Sequence, residues 1–268
     1  MKWSIGFRLG FLLACFSVLA AVLVGYFTFV SGRDMLNDRA QRALLATTQI
    51  LTQHMQAGFA TVARDATMLA ALAAETQAAQ VQATPAVHAH DREMLANVFK
   101  ATLSARPAYQ QIRLISAGDH GLELVRVERS GRGMVRVEGD ALQEKAHFPF
   151  VFETLKLGAG AVYVSEFGIN HEGIPDQGGE LPVFNMAASI VQGGQLVGVI
   201  VIRVTADAFF ANLSAGLPAP YGFYLLNRWG DFLVHSDRSQ TYGFDRGQRI
   251  LAQDSLPPVG QIIQGQSR

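Results

Sequence analysis

Cysteine is nearly missing from this chain: 268 residues contain one, Cys15. A lone thiol closes no disulfide within the chain, which excludes a disulfide-stapled scaffold and is compatible with an oxidising compartment. An excess of charge is missing too. The 22 basic and 22 acidic residues cancel, so no global field favours nucleic acid. The short patterns that carry chemistry are also lacking: no G-x-S-x-G elbow, no H-E-x-x-H pair, no Cys/His metal cluster and no phosphate loop. Gly158-Ala159-Gly160 reads as a turn, too short for a dinucleotide site. Ser165, His171, Glu172, His235 and Asp237 are nucleophile and base types without such a frame. The segment therefore reads as non-catalytic, with no cofactor and no metal.

Charge is missing a second time, locally. From Leu9 to Gly32 no residue is charged: "LGFLLACFSVLAAVLVGYFTFVSG". About 20 apolar residues span a bilayer as a helix, so a transmembrane helix is expected over 9–31. Lys2 and Arg8 precede it, which places residues 1–8 in the cytoplasm and everything after Gly32 outside. A cleaved signal peptide is the alternative, since Val18-Leu19-Ala20 offers a cleavage site. The apolar run continues roughly ten residues past Ala20, longer than a secretory segment needs, which favours a retained anchor.

Proline is missing from Arg33 to Gln82. In its place Leu36, Ala40, Leu44, Leu51, Met55, Phe59, Val62, Leu69 and Leu72 recur at three- and four-residue steps, predicting a long exported helix over 32–84. Gly58 is its one weak point. At 1.5 Å per residue, ~50 residues make a rod on the order of 70 Å long. Such a stripe either packs along its own domain or meets a second copy of itself, and its length points to self-association. Pro85 follows in "QATPAVHAHDRE", where His88 and His90 have poor metal spacing and read as solvated. A second helix is expected from about Asp91 to Ser104.

Strands come next. "YQQIRLISAGDHGLELVRVERSG" reads as a hairpin, Gln111–Ile115 and Leu122–Val127 about a turn at Gly118–Gly121. A short strand over Met134–Val137, a helical piece over Leu142–Leu157 and a strand over 161–169 are expected after it. "VFNMAASIVQGGQLVGVIVIRV" turns at Gly193-Gly194, and the continuous apolar run Leu196–Val204 marks a central strand covered on both faces. "TADAFFANLSAGL" closes the unit as a short helix. The fold class is α+β, one antiparallel sheet with helices packed on it. Near the C-terminus "YGFYLLNRWGDFLVHSD" opens another hairpin, with Gly230 supplying the positive φ of a tight turn. Its pattern repeats that of "IRLISAGDHGLELVRV", and two unrelated hairpins would look the same.

This order of elements resembles the double Cache (PDC-type, PAS-like) sensor domains of bacterial membrane receptors. The motifs are most similar to those on sensor histidine kinases and diguanylate cyclases. They are Gln111-Ile112-Arg113, Gly121 to Val127, "LQEK" at 142–145, "VYVSE" at 162–166, "INHEG" at 169–173, "GVIVIRV" and "YLLNRWGDFLVHSD". The resemblance implies a membrane-distal Cache domain over 85–216 and an incomplete membrane-proximal Cache module over 217–268. The chain is then the N-terminal fragment of a receptor in the bacterial inner membrane, its sensor periplasmic and its kinase or cyclase output elsewhere. It further implies a small-molecule ligand and a homodimer formed through the long helix. A methyl-accepting chemoreceptor, or a membrane-anchored scaffold without ligand, are the alternatives.

Receptors of this architecture hold their ligand between the sheet and the segment crossing it, here "LQEKAHFPFVFETL". Amino-acid-binding members carry an arginine in that segment for the carboxylate and an aspartate on the closing strand for the ammonium. The matching positions here are Phe148-Pro149-Phe150-Val151 and Arg203, so an amino-acid ligand does not transfer. Asn185 also stands where many kinase-linked relatives have arginine. The expected pocket has a wall of Phe148, Phe150 and Tyr163 beside Phe167, with Lys145, His147, Ser165, Asn170, Glu172 and Asn185 as polar groups. An ordinary core with a polar rim would have the same composition.

Overall fold

The computed structural model describes residues 5–80, 85–131, 133–170, 181–214 and 223–266. The chain divides into two compact units, residues 1–54 and 55–268. The first is the beginning of helix α1 (Ile5–Gln80). From Leu9 on it is long and apolar enough to cross a membrane, and Leu12, Phe16, Val22 and Phe27 are exposed on it. The Ser17 and Thr28 hydroxyls donate to the carbonyls of Leu13 and Val24, at 2.9 and 2.8 Å. These donors are satisfied inside the helix, as hydrocarbon demands. Leu36 and Leu44 of the expected stripe are exposed.

In the second unit the remainder of α1 and helix α2 (Pro85–Ala105) cover one face of an antiparallel sheet. Its strands are β1 (Tyr109–Ser116), β2 (Glu123–Ser130), β3 (Gly133–Val137), β4 (Val162–Val164), β5 (Gly168–Ile169), β6 (Pro182–Gln192) and β7 (Gln195–Thr205). They run in the order β3-β2-β1-β7-β6-β4, with β5 also on β6. Alternation along the pleat sends Ile112, Leu114, Phe184, Met186, Ile200 and Ile202 to the helices, where they meet Val62, Leu69, Leu95 and Phe99. The upper half of the α1 stripe is thus buried against its own sheet. Strand β7, between β1 and β6, is the central strand that its continuous apolar run predicts. At Gly58 a Cβ would stand 2.9 Å from the Phe209 ring, so the helix's weak point is a close approach. Asp65 of α1 accepts from the Arg106 guanidinium (2.9 Å) and the Tyr109 hydroxyl (2.7 Å), joining both helices to the first strand. Burial, with that bond to Asp65, raises the Tyr109 phenol far above its ordinary range.

Three elements differ from expectation. The strand expected over 161–169 is two short ones, β4 and β5, with residues 165–167 outside both. Helix α2 starts at Pro85 rather than near Asp91, because proline needs no N–H partner in a first turn and its φ is already helical. The crossing segment is not a helical piece over 142–157. Only α3 (Pro149–Phe152) and a single turn at Thr154–Lys156 are helical there. The backbone bonds of 143–146 go instead to the β1–β2 connection. Lys145 donates to Gly121 O (2.8 Å), Ala146 donates to His120 O (3.1 Å), and Gln143 O accepts from Glu123 (3.1 Å). Gly121 permits this, since its φ is +69° and a Cβ would lie 2.6 Å from the Ala146 nitrogen. Pro149 then holds Phe148 extended.

After helix α4 (Ala206–Ser214), the described chain resumes in a two-stranded sheet, β8 (Leu225–Leu226) and β9 (Phe232–Val234). Turns and the short helices α5 (Ala252–Ser255) and α6 (Pro257–Gln266) follow. In the hairpin turn the Asn227 side-chain oxygen accepts from the Trp229 and Asp231 amides, and Gly230 has φ +92°. Asp231 is 1% exposed, held by both arms of Arg249 (2.8 and 2.9 Å) and by the Asn227 amide (2.9 Å). Burial pushes the Asp231 carboxyl up, but the bonds from Arg249 and Asn227 outweigh it and the net shift is downward. A depressed carboxylate stabilises the fold above its unfolded pKa, and that contribution is lost as pH falls through the native value. Asp231→Ala should therefore lower the melting temperature at pH 7 by about 2–4 °C. The gap to wild type should narrow as pH drops below about 4. Thermal unfolding at pH 7 and pH 3 checks this, and a gap that ignores pH would assign the effect to packing instead.

Candidate functional site

The sheet face turned away from α1 and α2 carries the odd-numbered side chains of β6 and β7. Asn185 lies directly opposite Arg203, and Ala187 opposite Val201. That register is set by a bulge, because Val191 pairs Leu196 whereas Ile190 pairs Gly198. Without the bulge, the register that starts at the turn would bring Ile202 opposite Asn185 and turn Arg203 away. The Arg203 Nε donates to the Asn185 side-chain oxygen at 3.3 Å, which fixes the plane of a guanidinium that is 4% exposed.

Above this floor the crossing segment places Phe148, Pro149 and Phe150. The two rings stack, 5.2 Å apart and 17° from parallel. Each also faces a buried cation. Lys145 Nζ is 4.7 Å from the Phe148 ring centre, and the Arg113 guanidinium is 5.5 Å from that of Phe150. Arg113 belongs to a polar layer on the same sheet face. Gln111 donates to Glu128 (2.7 Å), Arg126 donates to Glu128 (2.7 Å), and Glu123 pairs with Arg113 (3.4 Å) and Arg126 (3.5 Å).

A third side comes from β4 and the strap 165–170 after it. Tyr163 pairs Ala187, and Ser165 exchanges two bonds with Asn185: its N–H donates to Asn185 O (2.9 Å), and its hydroxyl accepts the Asn185 N–H (2.8 Å). The Ser165 hydroxyl donates in turn to Glu166 O (2.9 Å), so its work is to hold the strap. Burial, then the Glu153 and Glu166 charges, raise the Tyr163 phenol, which stays a neutral donor at pH 7. Together these walls line an open cavity of about 480 Å³. Glu166, Gly168, Ile169 and Asn170 form its mouth. On its other side the strap meets the C-terminal hairpin. The Ile169 N–H donates to Asp245 (2.6 Å), Glu166 pairs with Arg228 (2.9 Å), and Phe167 faces a second cavity of about 320 Å³ beside Leu225, Trp229 and Phe244.

Of the sequence-predicted site residues, Phe148, Phe150, Tyr163, Ser165, Asn170 and Asn185 line the cavity together. Lys145 does not; it stands behind Phe148, bonded to the Gln143 side chain at 2.7 Å. Glu172 lies outside the described residues. Phe167, expected on the wall, points instead into the aromatic cluster of Phe59, Phe184 and Phe210. Val183 and Arg203 join the floor, beyond the residues expected there. Gly198 carried the signal for Arg203. A glycine inside a strand pattern marks a bulge or close approach, and a Cβ there would lie 2.6 Å from Ile115 O.

The sequence profile for the sensor domain of bacterial histidine kinases matches residues 53–261. Among solved structures, the extracellular domain of vpHK1S-Z8, assigned as a histidine kinase, superposes with a TM-score of 0.66 at 15% identity, over 84% of this chain and 81% of that one. A domain assigned to a sensory box/GGDEF family protein from Vibrio parahaemolyticus gives 0.62 at 15% identity, over 84% and 81%. Methyl-accepting chemotaxis protein X gives 0.61 at 12% identity, over 82% and 80%. At these identities the likeness is one of fold. No curated protein sequence matches the chain significantly.

Proposed function

Because the chain belongs to the bacterial histidine kinase sensor-domain family, we propose that the 480 Å³ cavity is its ligand site and that a small organic molecule is the signal. The observation that carries this is the wall of stacked phenyl rings over a floor of paired polar side chains. An apolar enclosure with few, fixed polar groups is how small-molecule sites are built, and 480 Å³ is within their usual range. The segment senses and leaves catalysis to an output that we place in a histidine kinase or a diguanylate cyclase. A methyl-accepting chemoreceptor is the second reading, favoured by the shared fold of the chemotaxis protein.

The apolar helix from Leu9 suits a membrane anchor. Lys2 and Arg8 before it support an inner-membrane protein with its sensor in the periplasm. The exposed Leu36 and Leu44 stripe supports a homodimer. Boundaries at 85–216 for the distal Cache domain and 217–268 for the start of a proximal one belong to the same reading.

A metabolite thermal-shift screen on the full chain in detergent tests the site. A ligand at 100 times its Kd adds about 2.7 kcal/mol, several degrees of melting temperature for a domain of this size. Tyr163→Ala and Asn185→Ala should each abolish the shift. A hit indifferent to both substitutions would move the site elsewhere, and the lasting lack of any hit would favour a ligand-free scaffold.

A further inference from the structure

The strap 165–170 borders the cavity on one side and is tied to the C-terminal hairpin on the other. Its own sheet holds it at both ends. Ser165 exchanges bonds with Asn185, and the Asn170 N–H donates to Leu181 O at 3.0 Å. Alternation along an antiparallel edge strand then turns the Ile169 N–H away from β6. Its acceptor there is the Asp245 carboxylate, at 2.6 Å, and a charged acceptor makes such a bond roughly twice as strong as a neutral one. Gly168 lets the carboxylate approach, since a Cβ there would stand 3.1 Å from its oxygen.

The turn that presents Asp245 is anchored. Tyr242 is fully buried with φ +55°, donates its N–H to Phe232 O on β9 (2.9 Å), and accepts the Asp245 N–H (3.1 Å). Beside β9, Ala252 of α5 donates to Gly230 O at 2.8 Å. Elsewhere the joint is loose. The Glu166–Arg228 pair is exposed on both sides, 68% and 71%, and such a pair is worth little. On the hairpin side Phe167 faces the cavity of about 320 Å³, which leaves strap and hairpin room to shift against each other.

We propose that the strap relays occupancy of the first cavity to the C-terminal hairpin, with Asp245 as the receiving group. A ligand seated against Gly168, Ile169 and Asn170 settles where the strap lies. The Ile169–Asp245 bond carries that position to the turn 242–246, and so to β9 and α5. The ligand biases the joint by its differential affinity for the strap positions. By the same linkage, the hairpin sets the affinity of the cavity. This inference rests on the reading of the cavity as the ligand site.

A tethered occupant tests the relay with no natural ligand in hand. In the full chain in detergent, carrying Cys15→Ser, Val183→Cys puts a thiol on the cavity floor for capping by N-ethylmaleimide, verified by mass. Tyr163→Cys replaces it if that thiol does not react; a cavity in which neither reacts admits no occupant and overturns the relay. Amide hydrogen exchange then compares capped with uncapped protein. Capping should change exchange in 165–170 and 238–248 by about threefold or more, and leave α2 and β3 as they were. With Asp245→Ala the change should persist in 165–170 and vanish from 238–248. Asp245→Asn, which keeps an acceptor, should retain both. A response in 238–248 that survives Asp245→Ala, or none there at all, overturns the relay. If Asp245→Ala does not fold, the unaltered Asp245 still decides, because a response spread equally over α2 and β3 is no relay. The two readings fail differently. Capping that alters 165–170 but not 238–248 overturns the relay and leaves the cavity as the ligand site. An intact relay beside a metabolite screen without hits does the reverse.

Discussion

Phe184→Ala is expected to cost about 3–5 kcal/mol of stability, the usual range for removing a fully buried ring. Phe184 is completely buried on the helix side of β6. Its ring centre lies 5.5 Å from Phe59 on α1, 4.9 Å from Phe167 on the strap and 5.2 Å from Phe209 on α4. Three elements remote in sequence therefore close on one side chain, and each is held by rings that cannot collapse into the gap without leaving their other partners. Phe167, for instance, also packs on Phe59 and Phe210. The loss should reach the ligand site too, because Phe167 belongs to the strap that forms the cavity mouth. Phe152, 36% exposed on the crossing segment, is the control, and its truncation should cost about 1 kcal/mol or less. Chemical denaturation of the two variants side by side measures the contrast. A Phe184→Ala cost near that of Phe152→Ala would show the aromatic cluster to be loosely packed, and its role as the joint between strap and helices would fall.

How far such a joint is legible in sequence depends on where its bonds go. Strand β7 is legible because its run of apolar residues is continuous, and the turn at Gly193-Gly194 because two adjacent glycines permit positive φ; both are found there, at +56° and +81°. The upper stripe of α1 is legible because Phe59, Val62 and Leu69 keep a helical period and are packed as one face. The crossing segment is not. Its apolar spacing suits a helix, but its amides find the carbonyls of His120 and Gly121, over 20 residues earlier, and no local period encodes a partner that distant. For the site, types were legible and register was not. Phe148, Phe150, Tyr163 and Asn185 follow from composition on the right strands. Arg203 faces them because one bulge beside Gly198 shifts the pairing by a residue. Lys145 shows the converse: its placement near the site follows from sequence, yet the Phe148 ring stands between it and the cavity.

Glu123→Ala is expected to be at least as damaging as the loss of Phe184, although Glu123 touches no ligand. Strand pairing sets Arg113 directly opposite Arg126, a like-charge pair on a buried face that destabilises a sheet unless it is neutralised. Glu128 serves Arg126 from one side, and Glu123, fully buried, serves both arginines from the other. Its carboxylate also accepts the Gln143 N–H at 3.2 Å, so it anchors the start of the crossing segment. Removing one partner of such a buried set costs about 3–5 kcal/mol, mostly as the penalty on the charge left behind. The site should feel it through Arg113, whose guanidinium faces the Phe150 ring. Glu123→Gln separates the causes, since it keeps the acceptor and the volume and discards the charge. If charge compensation dominates, Glu123→Gln should approach the alanine variant, and the double variant Arg113→Met, Glu123→Leu should recover much of the loss, because an apolar replacement leaves one cation in place of an opposed pair. Denaturant melts of the three variants, with ligand affinity followed in parallel, make the comparison. Should Glu123→Gln cost less than about 1 kcal/mol, the layer is held by hydrogen bonds and shape, and Arg113 and Arg126 would have to be neutralised by something other than Glu123.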